Sequence, residues 1–150
     1  MFSDLANKQR PNLVMVEPAP EAQWYLPTNV SVLDDNQWIS GFEFCLKHKV
    51  RIHVITAWNP GDERPELEIN ESQNEKLRID ITKLGFDSIH ALGSDPNSDH
   101  AEKSWAVIGL SNEEAIHLGK KYGQVAVFLI TESQQSVLGC FSDWEISRRF

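Results

Sequence analysis

The sequence is poor in cysteine, in basic charge and in long apolar runs, and each shortage excludes a class of protein. Its 150 residues include two cysteines, Cys45 and Cys140, which favours a reduced protein over a disulfide scaffold. No apolar run approaches the ~18 residues that a membrane-spanning helix needs. Residues 1–20 also lack the basic-then-apolar layout of a signal peptide. We therefore expect a cytoplasmic protein with no membrane partner.

The charge balance argues against nucleic acid as a partner. The chain carries 22 acidic and 14 basic residues and a net charge of −8, whereas a phosphate backbone attracts a basic surface. Glycine-rich phosphate loops are missing as well. The pair His100 and Glu102 resembles half of a zinc-deaminase motif, but the chain has no Pro-Cys-x-x-Cys to complete it. We therefore expect no metal and no cofactor.

Residues 51–60 form the stretch on which the rest of the interpretation depends. An apolar strand, predicted over residues 50–58, gives way there to a polar, aromatic corner. Asn59, Pro60 and Gly61 end the strand, because proline removes a backbone donor and glycine permits a turn.

Upstream of that strand the signals are weaker. Prolines interrupt residues 1–27 and predict an extended arm, with short strands at 12–16 and 25–33. Residues 36–48 carry an apolar stripe at helical spacing, which predicts a helix that covers the core. The stripe consists of Trp38, Phe42 and Cys45, and Lys49 continues its spacing just beyond that range.

Downstream of it, helices and strands alternate. We predict a helix over 70–84, strands over 86–92 and 104–110, a helix that the capping box Ser111-Asn-Glu-Glu114 opens and Gly123 ends, and strands over 125–131 and 136–141.

This order predicts an α+β fold. It matches a two-layer sandwich with a ferredoxin-like βαββαβ core, an extra C-terminal strand, a mainly antiparallel sheet, and an N-terminal helix and extended arm. We expect residues 1–150 to form a single domain. Residues 1–49 would be the arm and covering helix, 50–141 the core and 142–150 a tail.

In that topology the polar signatures meet at one edge of the sheet. Two asparagines, Asn70 and Asn74, continue the apolar stripe of their helix, and a buried amide without a partner costs roughly 1–3 kcal/mol. They can serve as an ordinary helix cap and loop ties, or they can bind a ligand. The expected ligand-binding residues are Thr56, Trp58, Asn59, Asn70, Asn74, Glu102, Ser104, Tyr122 and Gln124.

Several motifs together resemble one family. They are Thr56-Ala-Trp-Asn-Pro60, Asn70 and Asn74 before a leucine-rich helix, Glu102-x-Ser104, and Tyr122-Gly-Gln124 before Ala126-Val-Phe128. The chain resembles the bacterial domain of unknown function DUF3293 over roughly residues 50–128. Other members often carry a serine and an asparagine where this chain has the acidic stretch 62–66. The resemblance implies a small bacterial cytosolic protein and supplies no reaction.

Three functions remain open at this point. Carboxamides, hydroxyls, a carboxylate and a tryptophan favour a binding module for a polar small molecule or a peptide group. A hydrolase or transferase would use Glu102 as general base, with Ser104 and Tyr122 as further catalytic candidates. A protein-interaction or regulatory protein, with a homodimer as one form, would use the apolar strand faces instead.

Overall fold

The computed structural model describes residues 22–150, so the predicted strand at 12–16 lies outside the described residues. The helices are α1 (Ala22–Tyr25), α2 (Gly41–His48), α3 (Leu67–Lys83) and α4 (Asn112–Lys121). The strands are β1 (Asn29–Asp34), β2 (Gln37–Ser40), β3 (Ile52–Ile55), β4 (Ile89–Ser94), β5 (Ala101–Val107), β6 (Ala126–Ile130), β7 (Gln134–Gly139) and β8 (Glu145–Arg149). None of the helices in residues 22–150 has the length and apolarity to cross a membrane.

All eight strands of the described chain form one antiparallel sheet, and the ferredoxin-like prediction is wrong. The strand order is β2-β1-β4-β5-β3-β6-β7-β8, and the sheet curls into a half-barrel. Helices pack on both of its faces, so the protein is not a two-layer sandwich. The prediction failed because it placed residues 37–40 in a helix and residues 145–149 in a tail, and because it made the strand at 25–33 an edge strand, whereas β1 lies inside the sheet between β2 and β4.

The hairpin β1–β2 replaces the first part of the predicted helix 36–48. Asp35 and Asn36 have positive φ angles of 50° and 65° and form a two-residue turn, the geometry that matches the twist of a hairpin. The helix α2 begins only at Gly41, where the Ser40 side chain accepts a hydrogen bond from the backbone N–H of Glu43. Asp-Asn is a weaker hairpin signal than Asp-Gly, which explains the error.

The predicted tail 142–150 also contributes to the sheet. Its strand β8 pairs with β7, with Val137 opposite Ile146. Trp144 is buried where a side chain at Gly139 would collide with its ring, at 2.7 Å. Residue 139 must therefore lack a side chain for Trp144 to pack in this position.

Several local predictions are confirmed. The box Ser111–Glu114 caps α4 with both of its reciprocal hydrogen bonds. The long helix α3 begins three residues before its predicted start, at Leu67, and ends within one residue of its predicted end. Strong local signals of this kind do not depend on the fold around them.

Two apolar cores lie on opposite faces of the sheet. Leu77 and Ile81 of α3 and Leu118 of α4 pack against one face. Phe44 and Cys45 of α2 pack against the other. Successive side chains of the central strands therefore point alternately into one core and into the other.

Long side chains of β7 and β8 hold residues 22–28 against the sheet. Buried Gln135 donates from Nε2 to the carbonyl oxygen of Thr28 at 2.9 Å. Arg148 donates to the carbonyl oxygens of Leu26, at 2.8 Å, and of Thr28, at 3.2 Å. These contacts join the C-terminal strands to the segment that precedes β1.

One buried histidine lies between β3 and the start of α4. His53 is 1% exposed, and its Nε2 lies 2.7 Å from Oδ1 of Asn112. Burial lowers the pKa of His53 below its ordinary 6.5, because the charged imidazolium loses its hydration. The native protein therefore holds this ring neutral under mildly acidic conditions.

This histidine should make stability fall in weak acid. Below pH 6.5 the unfolded chain takes up a proton at His53 that the native protein resists, so the free energy of unfolding decreases by up to about 1.4 kcal/mol per pH unit. Urea unfolding at pH 7.5, 6.5 and 5.5 measures the effect. His53→Gln keeps a donor for Asn112 and should show a shallower decrease between pH 6.5 and 5.5. The control is His117→Gln, at an exposed position, and its free energy of unfolding should decrease with pH as that of the unsubstituted protein does. Equal slopes for all three proteins would contradict the assignment.

Candidate ligand-binding cleft

The corner that follows β3 is held by an asparagine pair. Asn59 has a positive φ of 46°, a conformation that asparagine tolerates better than most residues. Its backbone N–H donates to Oδ1 of Asn70 at 3.0 Å, and Nδ2 of Asn70 donates back to Oδ1 of Asn59 at 2.8 Å. Both residues are buried. The pair therefore fixes the left-handed turn against the first turns of α3.

Neighbouring residues extend this network to β5. Thr56 donates from Oγ1 to the carbonyl oxygen of Lys103 at 2.6 Å and accepts from the N–H of Trp58 at 3.0 Å. Oδ1 of Asn74 accepts from the N–H of Ala57 at 3.1 Å. The backbone beyond β3 is thus bound on one side to β5 and on the other to α3.

The segment before β6 closes the network. Nε2 of Gln124 donates to the carbonyl oxygen of Trp58 at 3.1 Å, and Gly61 donates its N–H to the carbonyl oxygen of Gly123 at 3.0 Å. Gly123 has a φ of 72°, and a Cβ there would lie 2.9 Å from Pro60. The corner after β3 is therefore in contact with α3, with β5 and with the segment before β6.

A cleft of about 520 Å³ opens at this edge of the sheet. The floor of the cleft lies on the same face of the sheet as α2, because residues two apart on a strand share a face. Ala106 and Ile130, two residues beyond the floor residues, are buried in the core that α2 covers. Ser104 and Phe128 contribute to that floor. Five expected residues line the cleft: Thr56, Asn59, Glu102, Ser104 and Gln124.

The other four expected residues do not line it. Asn70 and Asn74 lie behind the corner and hold the backbone. Trp58 is buried, with Nζ of Lys103 5.7 Å from its ring centroid. Tyr122 lines a separate groove of about 560 Å³ next to α3, where its hydroxyl donates to Asp80. Burial and the Asp80 carboxylate raise the pKa of Tyr122 above its ordinary value.

The aromatic wall of the cleft was not among the predicted site residues. Trp24, Tyr25 and Phe128 line it, and Trp24 is 77% exposed. The alternation along β6 places Phe128 on the same face as Ile130, a signal that was available in the sequence. No comparable signal marked Trp24, because the contacts of Gln135 and Arg148 hold its segment against the sheet.

The charged groups of the cleft are few. Glu102 pairs with His100, whose Nε2 lies 2.8 Å from Oε2. Asp95 accepts the N–H of Asn97 within its own turn at 2.8 Å. Arg64 lies on the opposite loop. No group of three or more histidine, cysteine, aspartate or glutamate side chains in residues 22–150 is arranged to hold a metal ion.

The three catalytic candidates do not converge. Ser104 donates its hydroxyl to the main-chain oxygen of Glu102 at 3.2 Å, so its proton is not directed at a base. Tyr122 contacts Asp80, outside the residues that line the cleft. What the cleft does offer is a set of hydrogen-bonding side chains beside aromatic rings.

The asparagine pair should contribute measurably to stability. Asn70→Ala removes both of its hydrogen bonds and leaves the buried N–H and Oδ1 of Asn59 without partners, which should lower the free energy of unfolding by about 1–3 kcal/mol. Urea denaturation measures it. Gln73→Ala, three residues along the same helix and only half-buried, should change it by no more than about 0.5 kcal/mol. If Asn70→Ala also lowered the free energy of unfolding by no more than about 0.5 kcal/mol, the asparagine pair would not contribute to stability.

Comparison with known proteins agrees with the resemblance of the motifs. Residues 55–127 match the family model described as "Protein of unknown function (DUF3293)". Neither the curated proteins nor the solved structures gave a match. The matched region begins at the last residue of β3 and ends within β6, and it includes all five of the expected residues that line the cleft. Over residues 55–127 the chain is thus similar to the DUF3293 family, which supports the resemblance that its motifs indicated.

Proposed function

We propose that the cleft binds a small polar molecule. The observation that carries the proposal is the convergence of three separate segments on one concavity, each with polar side chains. Thr56 and Asn59 come from the corner after β3, Gln124 comes from the segment before β6, and the third segment is β5 with the residue before it, which contributes His100, Glu102 and Ser104. Side chains with donors and acceptors beside an apolar wall are typical of small-molecule sites.

The rigidity of the corner supports this proposal. The backbone of residues 56–61 is bound to α3, to β5 and to the segment before β6. A site whose backbone is already ordered loses less conformational entropy when a ligand binds. The buried asparagines thereby act as supports, while Asn59 and Gln124 also line the cleft.

The exposed tryptophan is the second support. An indole ring that is 77% exposed at the mouth of a cleft offers a flat surface on which a ligand can pack. Carboxamides and hydroxyls are better suited to reading hydrogen-bonding groups than to acid–base catalysis. We therefore favour binding over a hydrolase or transferase reaction.

The expected setting of the protein stays a prediction. Cys45 and Cys140 are both buried and free of any disulfide, which suits a reducing compartment such as the cytoplasm. A bacterial source, a single domain over the whole chain, a homodimer and the absence of a nucleic-acid partner also remain predictions.

A ligand screen with two tryptophan variants tests the proposal. In a thermal-shift screen of metabolites, a ligand present at 100 times its Kd should stabilise the protein by about 2.7 kcal/mol. Calorimetric titration of that ligand should show about tenfold weaker binding to Trp24→Ala, because the ring at the cleft is lost. Trp38→Ala is the matched control, since Trp38 is 48% exposed on β2, outside the residues that line the cleft.

The pattern across the variants decides the outcome. Weaker binding to Trp24→Ala with unchanged binding to Trp38→Ala supports the cleft. Equal affinity for both variants would place the ligand elsewhere. If no compound of a broad metabolite library stabilised the protein, the proposal would be wrong.

A further inference from the structure

The charged side chains of the cleft indicate which charged groups its ligand carries, an inference that rests on the proposed function. Among the described residues that line the cleft, Arg64 is the one lysine or arginine. Its guanidinium donates to the carbonyl oxygen of Glu63 at 2.8 Å. No carboxylate of residues 22–150 forms an ion pair with it. Within the described chain, most donors of this planar group therefore have no acceptor and can bind one in the cleft.

A single arginine suits a carboxylate better than a phosphate group. The guanidinium fork matches the two oxygens of a carboxylate. A phosphate would bring nearly two negative charges into a cleft that already holds Asp95 and Glu102. Because those two carboxylates would repel it, the balance favours an anionic group with one charge.

Glu102 provides the opposite charge. One carboxylate oxygen, Oε2, contacts His100. The other, Oε1, makes no hydrogen bond with any residue of the described chain, and the side chain is 26% exposed. A half-buried carboxylate with an available oxygen attracts an ammonium group, and reduced contact with water strengthens that attraction.

The aromatic wall completes the description. Phe128 and Tyr25 are partly buried and form an apolar surface beside these charged groups. An organic body with little charge of its own would pack there.

We propose that the cleft binds a small zwitterion, a molecule with one carboxylate and one ammonium group joined by a compact organic body. Arg64 binds the carboxylate, Glu102 binds the ammonium group, and Phe128 and Tyr25 contact the body. Free α-amino acids, amino acids with a longer spacing between the charges, and dipeptides are the members of this class.

Calorimetric titration with defined probes tests the charge assignment. The probes are the common L-α-amino acids, γ-aminobutyrate and alanylphenylalanine, each beside its C-terminal amide and its N-acetyl derivative. At least one zwitterion should bind, and both of its single-charge derivatives should bind about tenfold more weakly or worse. Derivatives that bind as tightly as the parent compound overturn the inference.

Two charge-removing variants assign each end of the ligand. Arg64→Gln should weaken binding of the zwitterion about tenfold, and the zwitterion should then bind no more tightly than its amide. In Glu102→Gln the zwitterion should bind no more tightly than its N-acetyl derivative. Arg78→Gln is the control, because Arg78 pairs with Glu75 on α3, outside the residues that line the cleft. Arg64 is exposed, so its substitution should leave the fold intact. Unchanged discrimination in both cleft variants would contradict the assignment.

The result also separates this inference from the proposal on which it rests. A neutral sugar or nucleoside that requires Trp24, with no zwitterion bound, would overturn the zwitterion and leave the binding cleft standing. Binding by no compound of either kind would overturn both.

Discussion

The reciprocal hydrogen bonds between Asn59 and Asn70 are the contact on which the candidate site depends. They hold a left-handed turn in a buried position, where no water is at hand to replace them. The turn lies between β3, at the middle of the sheet, and α3, which covers one face. Because the backbone stays in that position, Thr56 reaches β5 and the carbonyl oxygen of Trp58 reaches Gln124.

The same asparagines show how one set of residues can have two kinds of role. Asn70 and Asn74 use their amide oxygens to hold the backbone and do not line the cleft. Asn59 and Gln124 take part in the same network and also line the cleft. A polar residue at such a corner therefore does not by itself indicate a ligand contact. The distinction depends on which side of the backbone its side chain lies.

The far wall of the cleft comes from outside the central strands. The sheet curls because eight antiparallel strands accumulate twist. Hydrogen bonds from Gln135 and Arg148 hold the segment 22–28 against its C-terminal strands. Trp24 and Tyr25 reach the cleft by that route. A flat sheet with a separate arm would have left Glu102 and Ser104 on an open surface.

The sequence by itself determined the local elements of the fold. The capping box at Ser111, the helix α3 and the alternation along the central strands act through neighbours only a few residues away, so pattern alone reveals them. Only the tertiary structure decided that residues 37–40 and 145–149 join the sheet, that Tyr122 lies away from the cleft, and that Trp24 lies in it. Those outcomes depend on contacts between residues that lie up to 122 positions apart, such as Arg148 with Leu26. A short-range pattern carries no information about such contacts, because it is the curvature of the whole sheet that brings the partners together.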